Sequence, residues 1–468
     1  MRIKKIALVE TKAVKTHIFS RRYLPRLGLP MISGVLKQAG YSVELFLQEQ
    51  KPLDLNYLME FDLVGISSIT STVPEAFRIG RALKERGMTV VMGGPHVSAE
   101  AEEALTCCDY VVRGEGEIVF MKLLDKLNNG RDVADVPSIS YIKNGGAVHN
   151  TSTIEKVDLT TLPDTDFSIC KGFAGPQEYP AQIMFSRGCP YDCNFCSVTT
   201  MFGRKYRHRT NEQVIRDLEP FTERTISFID DNFAANPKKT KELLRMMIES
   251  KTVPMAYSCQ IRINAARDEE LLGLMRKTNC RIAYVGLESV DPATLKQYHK
   301  GQTLEQIISA IKVFRKYNIG LHGMFVLGGE NDTVGTIKSS VDFSLKTGLD
   351  TIQLCALTPF PGTAVHDEMT RANRVLHRKW ELYDGLHVVI QPNRMTPYEL
   401  QLGIMEGMKR FYSMKNVLKF SLRKRWRSKY RMGGRYLVNR WIAEKQSYLE
   451  YLKNTENQVK RADAVPVS

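Results

Sequence analysis

Through most of this 468-residue chain, short apolar runs alternate with segments of helical period, and that alternation limits the possible folds more than any other feature. "IKKIALVE", "YSVELFL", "FDLVGISSIT", "TVVMGG" and "DYVVRGEGE" read as strands. "LPMISGVLKQAG", "TVPEAFRIGRALKERG", "SAEAEEALTC" and "GEIVFMKLLDKLNNG" read as the helices among them. Such a pattern predicts an α/β fold with a Rossmann-like, doubly wound parallel sheet over residues 1–144. Sheets of this kind hold ligands beyond the carboxyl ends of their strands. Small residues gather at those ends: Ser67, Ser68, Thr70 and Thr72; Gly93, Gly94, Pro95 and His96; Gly114, Glu115, Gly116 and Glu117. Each cluster alone reads as a turn. Three in register predict a crevice, because glycine lets backbone approach a flat or bulky ligand closely.

Residues 145–178 are rich in turn residues, with little periodicity, and read as a linker over the surface. The alternation then resumes over residues 179–395. Its strands are "AQIMFSR", "RTISFID", "MAYSCQI", "RIAYVGL", "GLHGMFV" and "TIQLCAL", with helical segments between them. Six strand–helix units fall short of the eight that close a barrel, so a partial (β/α)6 barrel is predicted.

Residues 396–468 read as a basic helical extension. From Lys409 onward there are 16 Lys plus Arg against 4 Asp plus Glu, so +12 of the net charge of +15 lies here. Phe411, Tyr412, Phe420, Trp426, Tyr430 and Tyr436 interleave with the cations. One reading packs an apolar stripe on the barrel and leaves the charges solvated. The other offers a surface to an anionic membrane or an acidic, lipid-like substrate. The N-terminus "MRIKKIALVE" lacks the apolar core and cleavage site of a signal peptide. No run of about 18 apolar residues suits a spanning helix. A cytoplasmic location is expected, with the extension as the candidate for peripheral membrane contact.

Nine cysteines without an export signal favour metal binding or catalysis over disulfides. Cys107, Cys108, Cys170, Cys259, Cys280 and Cys355 lie in apolar contexts and read as core thiols. Cys189, Cys193 and Cys196 differ, falling within eight residues of "RGCPYDCNFC". A structural zinc site closes with four protein ligands, and no fourth cysteine is near. His208 sits among Arg204, Lys205, Arg207 and Arg209, a poor setting for a ligand. A cubane iron–sulfur cluster suits three thiolates, with one iron left open. The loop follows the first strand of the second domain, and Gly188 and Pro190 bend it so that amides can face cluster sulfurs.

"CPYDCNFC", with Phe195 just before the third cysteine, resembles the signature of radical S-adenosylmethionine enzymes, and the resemblance covers about residues 179–395. It implies a 4Fe–4S cluster on Cys189, Cys193 and Cys196. The open iron then chelates the amino and carboxylate groups of S-adenosylmethionine, and an electron cleaves it to a 5′-deoxyadenosyl radical. In "FIDDNF", where the family usually has two glycines and an acid, Asp230 or Asp231 faces the amine or caps the next helix. Arg262 in "QIRIN" suits the cofactor carboxylate, and Glu288 in "GLES" the ribose hydroxyls. Pro359, Pro361 and Gly362 in "TPFPGT" resemble the segment that lies against adenine. Gly328 and Gly329 read as a turn, and no G-x-G-x-x-G or Walker pattern competes.

"LVGISSITSTVPEAFRIGRALKERG", "VMGGPHVSAEAEEAL" and "DYVVRGEGE" resemble the cobalamin-binding domain that precedes the radical module in one large subfamily. This implies cobalamin at the crevice of Ser67, Ser68, Thr70, Gly93, Gly94, Pro95, His96, Gly114, Glu115 and Gly116. The D-x-H-x-x-G loop that puts histidine on cobalt is absent. Only His17 and His96 lie in this domain, and neither stands in that context.

The expected activity is that of a cobalamin-dependent radical methyltransferase acting on an unactivated carbon, served by an external electron donor of flavodoxin or ferredoxin type. A tetrapyrrole-type anaerobic cyclase without methyl transfer uses the same residues. A non-catalytic electron-transfer protein would want a fully ligated cluster. RNA modification finds no recognisable RNA-binding module. The basic aromatic extension leans the substrate toward a lipid or another hydrophobic small molecule.

Overall fold

The computed structural model describes residues 2–14, 25–151, 156–173, 178–179, 181–422 and 427–463. His17 and Trp426 lie outside the described residues.

Strands β1 (Lys5–Glu10), β2 (Ser42–Leu47), β3 (Leu63–Ser67), β4 (Val90–Gly93) and β5 (Tyr110–Val112) form a parallel array in the order β5-β4-β3-β1-β2. Alternate residues of β1 serve opposite layers, as a period of two requires. Ile6 and Leu8 pack with the helices Gly28–Gln38 and Gly116–Asn128, and Ala7 and Val9 pack with the helix Val73–Lys84. The chain reverses its direction of travel between β1 and β3, the switch point at which such sheets take ligands.

This first sheet runs past residue 144 and into the segment read as a linker. β6 (Ile139–Lys143) and β7 (Gly146–His149) form an antiparallel hairpin on the edge of β5. Its turn is Asn144–Gly145, with φ of 52° and 79°. Asn-Gly supplies the two left-handed residues that a tight hairpin needs, and "YIKNGGAVH" carries that signal in the sequence. β8 (Cys170–Lys171) then pairs with β2 at the opposite edge. The segment 145–178 is therefore partly sheet, because each exposed edge takes a short strand.

The second sheet contains β9 (Gln182–Ile183), β12 (Thr225–Phe228), β13 (Ala256–Ile261), β14 (Cys280–Glu288), β15 (Gly320–Leu327) and β16 (Thr351–Ala356). All are parallel and in sequential order, the expected partial barrel. "AQIMFSR" is not one strand. β9 stops at Ile183, and Ser186–Arg187 (β10) pairs antiparallel with Arg207–His208 (β11). The cysteine loop is thus the head of a short hairpin.

Helices Pro397–Phe411, Met414–Ser421 and Ser428–Asp463 cover the end of the barrel. Phe411, Tyr412 and Phe420 are buried, and the Tyr412 hydroxyl donates to the carbonyl of Ile352 at 2.8 Å. Arg431 is buried between the rings of Phe411 and Phe420 and donates to the carbonyls of Leu349 and Asp350. Arg427 pairs with Asp350 at 3.3 Å. Much of the extension's aromatic and cationic content is therefore structural. No helix among the described residues is long and apolar enough to cross a membrane.

Candidate functional site

The carboxyl ends of β3, β4 and β5 face the helix that follows the cysteine loop across a cavity of about 380 Å³. On one side it is lined by Ser67, Gly93, Gly94, Pro95 and Gly114–Glu117. On the other stand Ser197, Val198, Met201 and Phe202, from the helix Ser197–Phe202 that follows the third cysteine, together with Asp231. Gly94 has φ of 111°, and a Cβ there would meet the Ser68 carbonyl oxygen at 2.3 Å, so only glycine fits. Glu117 is buried at this wall with Oε2 unpartnered, an acceptor that a donor on a bound ligand would satisfy. Glycine edges, an apolar surface and a waiting acceptor fit the face of a flat amide-bearing macrocycle such as cobalamin. The cavity lining contains no histidine among the described residues.

Several crevice residues stand elsewhere than expected. Ser68 and Thr70 are buried behind the cavity wall, Ser68 giving its N–H to the Gly93 carbonyl at 3.3 Å. His96 turns away from the cavity. Its ring packs edge-on against Trp380 at 4.8 Å and near Phe77 at 6.2 Å, and burial pushes its imidazole down to about 4. Helix Pro95–Ala99 begins at Gly94, and that start swings His96 to the far side. Glu115 lines the cavity, but its carboxylate is committed to charge pairing. It accepts from Arg187 at 3.0 Å, from Arg207 at 2.9 and 3.0 Å, and from the N–H of Val157 at 3.2 Å. Arg187 also donates to Glu117 at 2.6 Å. This buried two-acid, two-arginine network joins the first sheet to the stem of the cysteine hairpin.

Gly188 opens the cysteine loop with φ of 85°, and a Cβ there would lie 2.5 Å from the Lys205 carbonyl oxygen. Cys189, Cys193 and Cys196 are unpaired and half-buried. Burial raises the Cys189 thiol and pushes Cys196 up to about 11. Groups that favour thiolates converge on them: the Arg262 guanidinium lies 3.6 Å from Cys193 Sγ, and Asn232 Nδ2 lies 4.0 Å from Cys189 Sγ. Among the described residues, no three His, Cys, Asp or Glu side chains gather tightly enough for a single ion. Thiolates that each hold a different iron of a cluster have no need to, so the donor set fits a cluster.

The two adjacent aspartates divide their work. Asp230 is buried and accepts from the N–H groups of Phe185 at 3.1 Å and Ser186 at 2.6 Å, and from the Ser186 hydroxyl. Burial pushes its carboxyl up to about 7. Asp230 holds the break between β9 and β10 instead of meeting a cofactor amine. Asp231 lines the cavity, with burial raising it to about 6. Neither caps a helix, since Asn236 caps the next one.

Arg262 stacks on the Tyr191 ring at 3.7 Å and donates to the Lys300 carbonyl. Glu288, expected at ribose hydroxyls, is buried and ion-paired with Lys300 at 2.5 Å. It sits at a bulge in β14 with φ of 62°. A buried carboxylate requires a partner, and Lys300 supplies it. Phe195 packs edge-on against Tyr298 at 5.0 Å. Pro359 and Pro361 are buried in the loop after β16. There the Gly362 carbonyl accepts from Thr200 at 2.9 Å, which brings "TPFPGT" against the helix of the cysteine loop.

Residues 183–338 match the Radical SAM superfamily, and residues 20–124 match the B12 binding domain. An uncharacterized methyltransferase of Pyrococcus horikoshii is 30% identical over 76% of this chain and 80% of that protein. Bacteriochlorophyllide d C-12(1)-methyltransferase of Chlorobaculum tepidum is 27% identical over 77% of this chain and 76% of its own. The anaerobic magnesium-protoporphyrin IX monomethyl ester cyclase of Rubrivivax gelatinosus is 27% identical over 87% and 78%. In fold, the chain is similar to the radical S-adenosylmethionine methyltransferase TsrM of Kitasatospora setae. The TM-score is 0.67 at 20% identity, over 79% of this chain and 76% of that one.

Proposed function

The chain belongs to the cobalamin-binding radical S-adenosylmethionine enzymes, and from that premise we propose that it transfers a methyl group to an unactivated carbon of a hydrophobic small molecule or lipid. The observation that carries the proposal is the cavity that sets the glycine edges of the first sheet opposite Arg187, Asp231 and the helix Ser197–Phe202, the elements that flank the cysteine loop. When bound, the cluster supplies the electron that cleaves S-adenosylmethionine, and cobalamin supplies a carrier for the methyl group.

The chain's own residues bind, orient and enclose. Cys189, Cys193 and Cys196 would hold the cluster, with Arg262 and Asn232 stabilising two of the thiolates. Asp231, at the cavity wall, would take the cofactor amine. The edge at Gly93–Pro95 and Gly114–Gly116 would receive the cobalamin face, with Glu117 accepting from a side-chain amide. Val198, Met201 and Phe202 form an apolar wall that keeps water from the space between the two sites. That wall also supports a hydrophobic acceptor. Such an acceptor partitions into lipid, so the reading extends to work at a membrane surface, with electrons from an external flavodoxin- or ferredoxin-type donor.

The test uses the full chain, reconstituted with iron, sulfide and cobalamin and reduced, with methyl-labelled S-adenosylmethionine and a lipid extract as acceptor. Methyl transfer yields S-adenosylhomocysteine and 5′-deoxyadenosine together, with label in an organic-phase product. The similarity to a cyclase favours one second reading, ring formation without methyl transfer. A converted but unlabelled product with 5′-deoxyadenosine alone would establish that reading.

A further inference from the structure

The C-terminal helices are amphipathic on two sides. Val417 and Phe420 of the helix Met414–Ser421 face inward and are buried. Met414, Leu418 and Leu422 recur every four residues, share the opposite face, and are exposed, Leu418 at 58% and Leu422 at 90%. Met432 and Tyr436 form a second exposed pair, one turn apart, on the neighbouring helix Ser428–Asp463. A soluble surface scatters such residues singly, whereas these five fall within 23 positions on two neighbouring helices. The charge along this stretch of sequence is of one sign. Between Glu406 and Glu444 the sequence has 12 Lys and Arg and no Asp or Glu. Arg427 and Arg431 are buried against the barrel, and Arg410 pairs with Asp342. Lys415, Lys419 and Lys429 are exposed on the same two helices.

We infer that this helical face is a docking surface for an anionic lipid bilayer. It rests on the reading of a hydrophobic acceptor and deepens it, naming the side chains that bring the enzyme to lipid. The apolar stripe enters the boundary between headgroups and acyl chains while the lysines meet the anionic headgroups, the two contributions that interfacial binding sums. A second copy of the chain is a poorer occupant, since it would bring the same uncompensated positive charge.

The test is co-sedimentation of the full reconstituted chain with vesicles of equal phosphatidylglycerol and phosphatidylcholine, and with phosphatidylcholine alone. Binding is expected to the anionic vesicles, to weaken in 0.5 M salt (a Debye length of about 4 Å), and to be slight on neutral ones. Leu418→Glu with Leu422→Glu should lower anionic-vesicle partitioning at least about tenfold. Met255→Glu, at an exposed apolar position elsewhere, should leave it unchanged. Cluster absorbance and 5′-deoxyadenosine formation serve as folding controls for each variant. Absent binding, or binding that the double variant does not weaken, overturns the inference. So does a wild-type dimer that the double variant converts to monomer. None of these outcomes bears on methyl transfer, which is read from the labelled product.

Discussion

Replacing Glu115 by alanine is expected to loosen the joint between the two halves. Its carboxylate accepts from Arg187 and Arg207 at 2.9–3.0 Å and from the Val157 N–H, all out of solvent. With Glu115 gone, Glu117 is left to balance two arginines, and one buried positive charge is stranded. Removing one member of a buried charge cluster costs about 3–5 kcal/mol. With a urea dependence of about 3 kcal/mol/M, the midpoint of the affected transition falls by about 1 M or more. Urea titration followed by tryptophan fluorescence suits the assay, because Trp380 sits at the other seam and donates to Glu103 at 3.0 Å. The first sheet should unfold ahead of the barrel, splitting the transition. Adding Arg207→Met leaves Glu117 paired with Arg187 and should recover part of the loss. Arg378→Ala removes the exposed pair with Glu100 and should cost no more than about 1 kcal/mol. A Glu115→Ala shift no larger than that of Arg378→Ala, or a double variant worse than the single, would refute the argument.

Gly94→Ala places a Cβ 2.3 Å from the Ser68 carbonyl at φ of 111°, so cobalamin retention on gel filtration should fall while iron content holds. His96→Phe should leave both the cobalamin absorbance spectrum and the electron paramagnetic resonance of the reduced cobalt form unchanged, because the His96 ring packs on Trp380 and not in the cavity. His96 also carries a pH signature. Its folded value near 4 lies below the unfolded 6.5, so stability is present above about pH 6.5 and falls by about 3 kcal/mol as pH drops toward 4; His96→Phe should flatten that slope in urea titrations. Arg262→Met removes the guanidinium that stabilises the Cys193 thiolate, so iron retained through gel filtration should fall and S-adenosylmethionine cleavage should drop at least about tenfold.

Period and turn chemistry made the layout readable. The strands and crossover helices follow from alternation of two and 3.6, and the missing fourth thiol pointed to an open cluster. The Asn144–Gly145 hairpin was readable too, but the turn-rich stretch after it masked the strand that follows. What stayed hidden depends on distant partners. Arg187 and Glu115 are 72 residues apart, so their pairing appears only when the two domains meet. Asp230 and Asp231 are adjacent, and which one turns inward depends on where β9 releases the backbone of Phe185 and Ser186. Glu288 lost its free role to Lys300, 12 residues on and past a helix. His96 followed its helix toward Trp380, a neighbour from the far end of the barrel.

In the proposed function, Cys189, Cys193 and Cys196 would hold a cluster with one iron open to S-adenosylmethionine, near the cobalamin edge. Electron paramagnetic resonance of the reduced, reconstituted chain tests it most directly. About four irons per chain should bind, and the cluster signal should shift when S-adenosylmethionine is added. Cys193→Ala should abolish both. A wild-type cluster signal indifferent to S-adenosylmethionine, or zinc in place of iron, would mean that these thiols hold no open cluster.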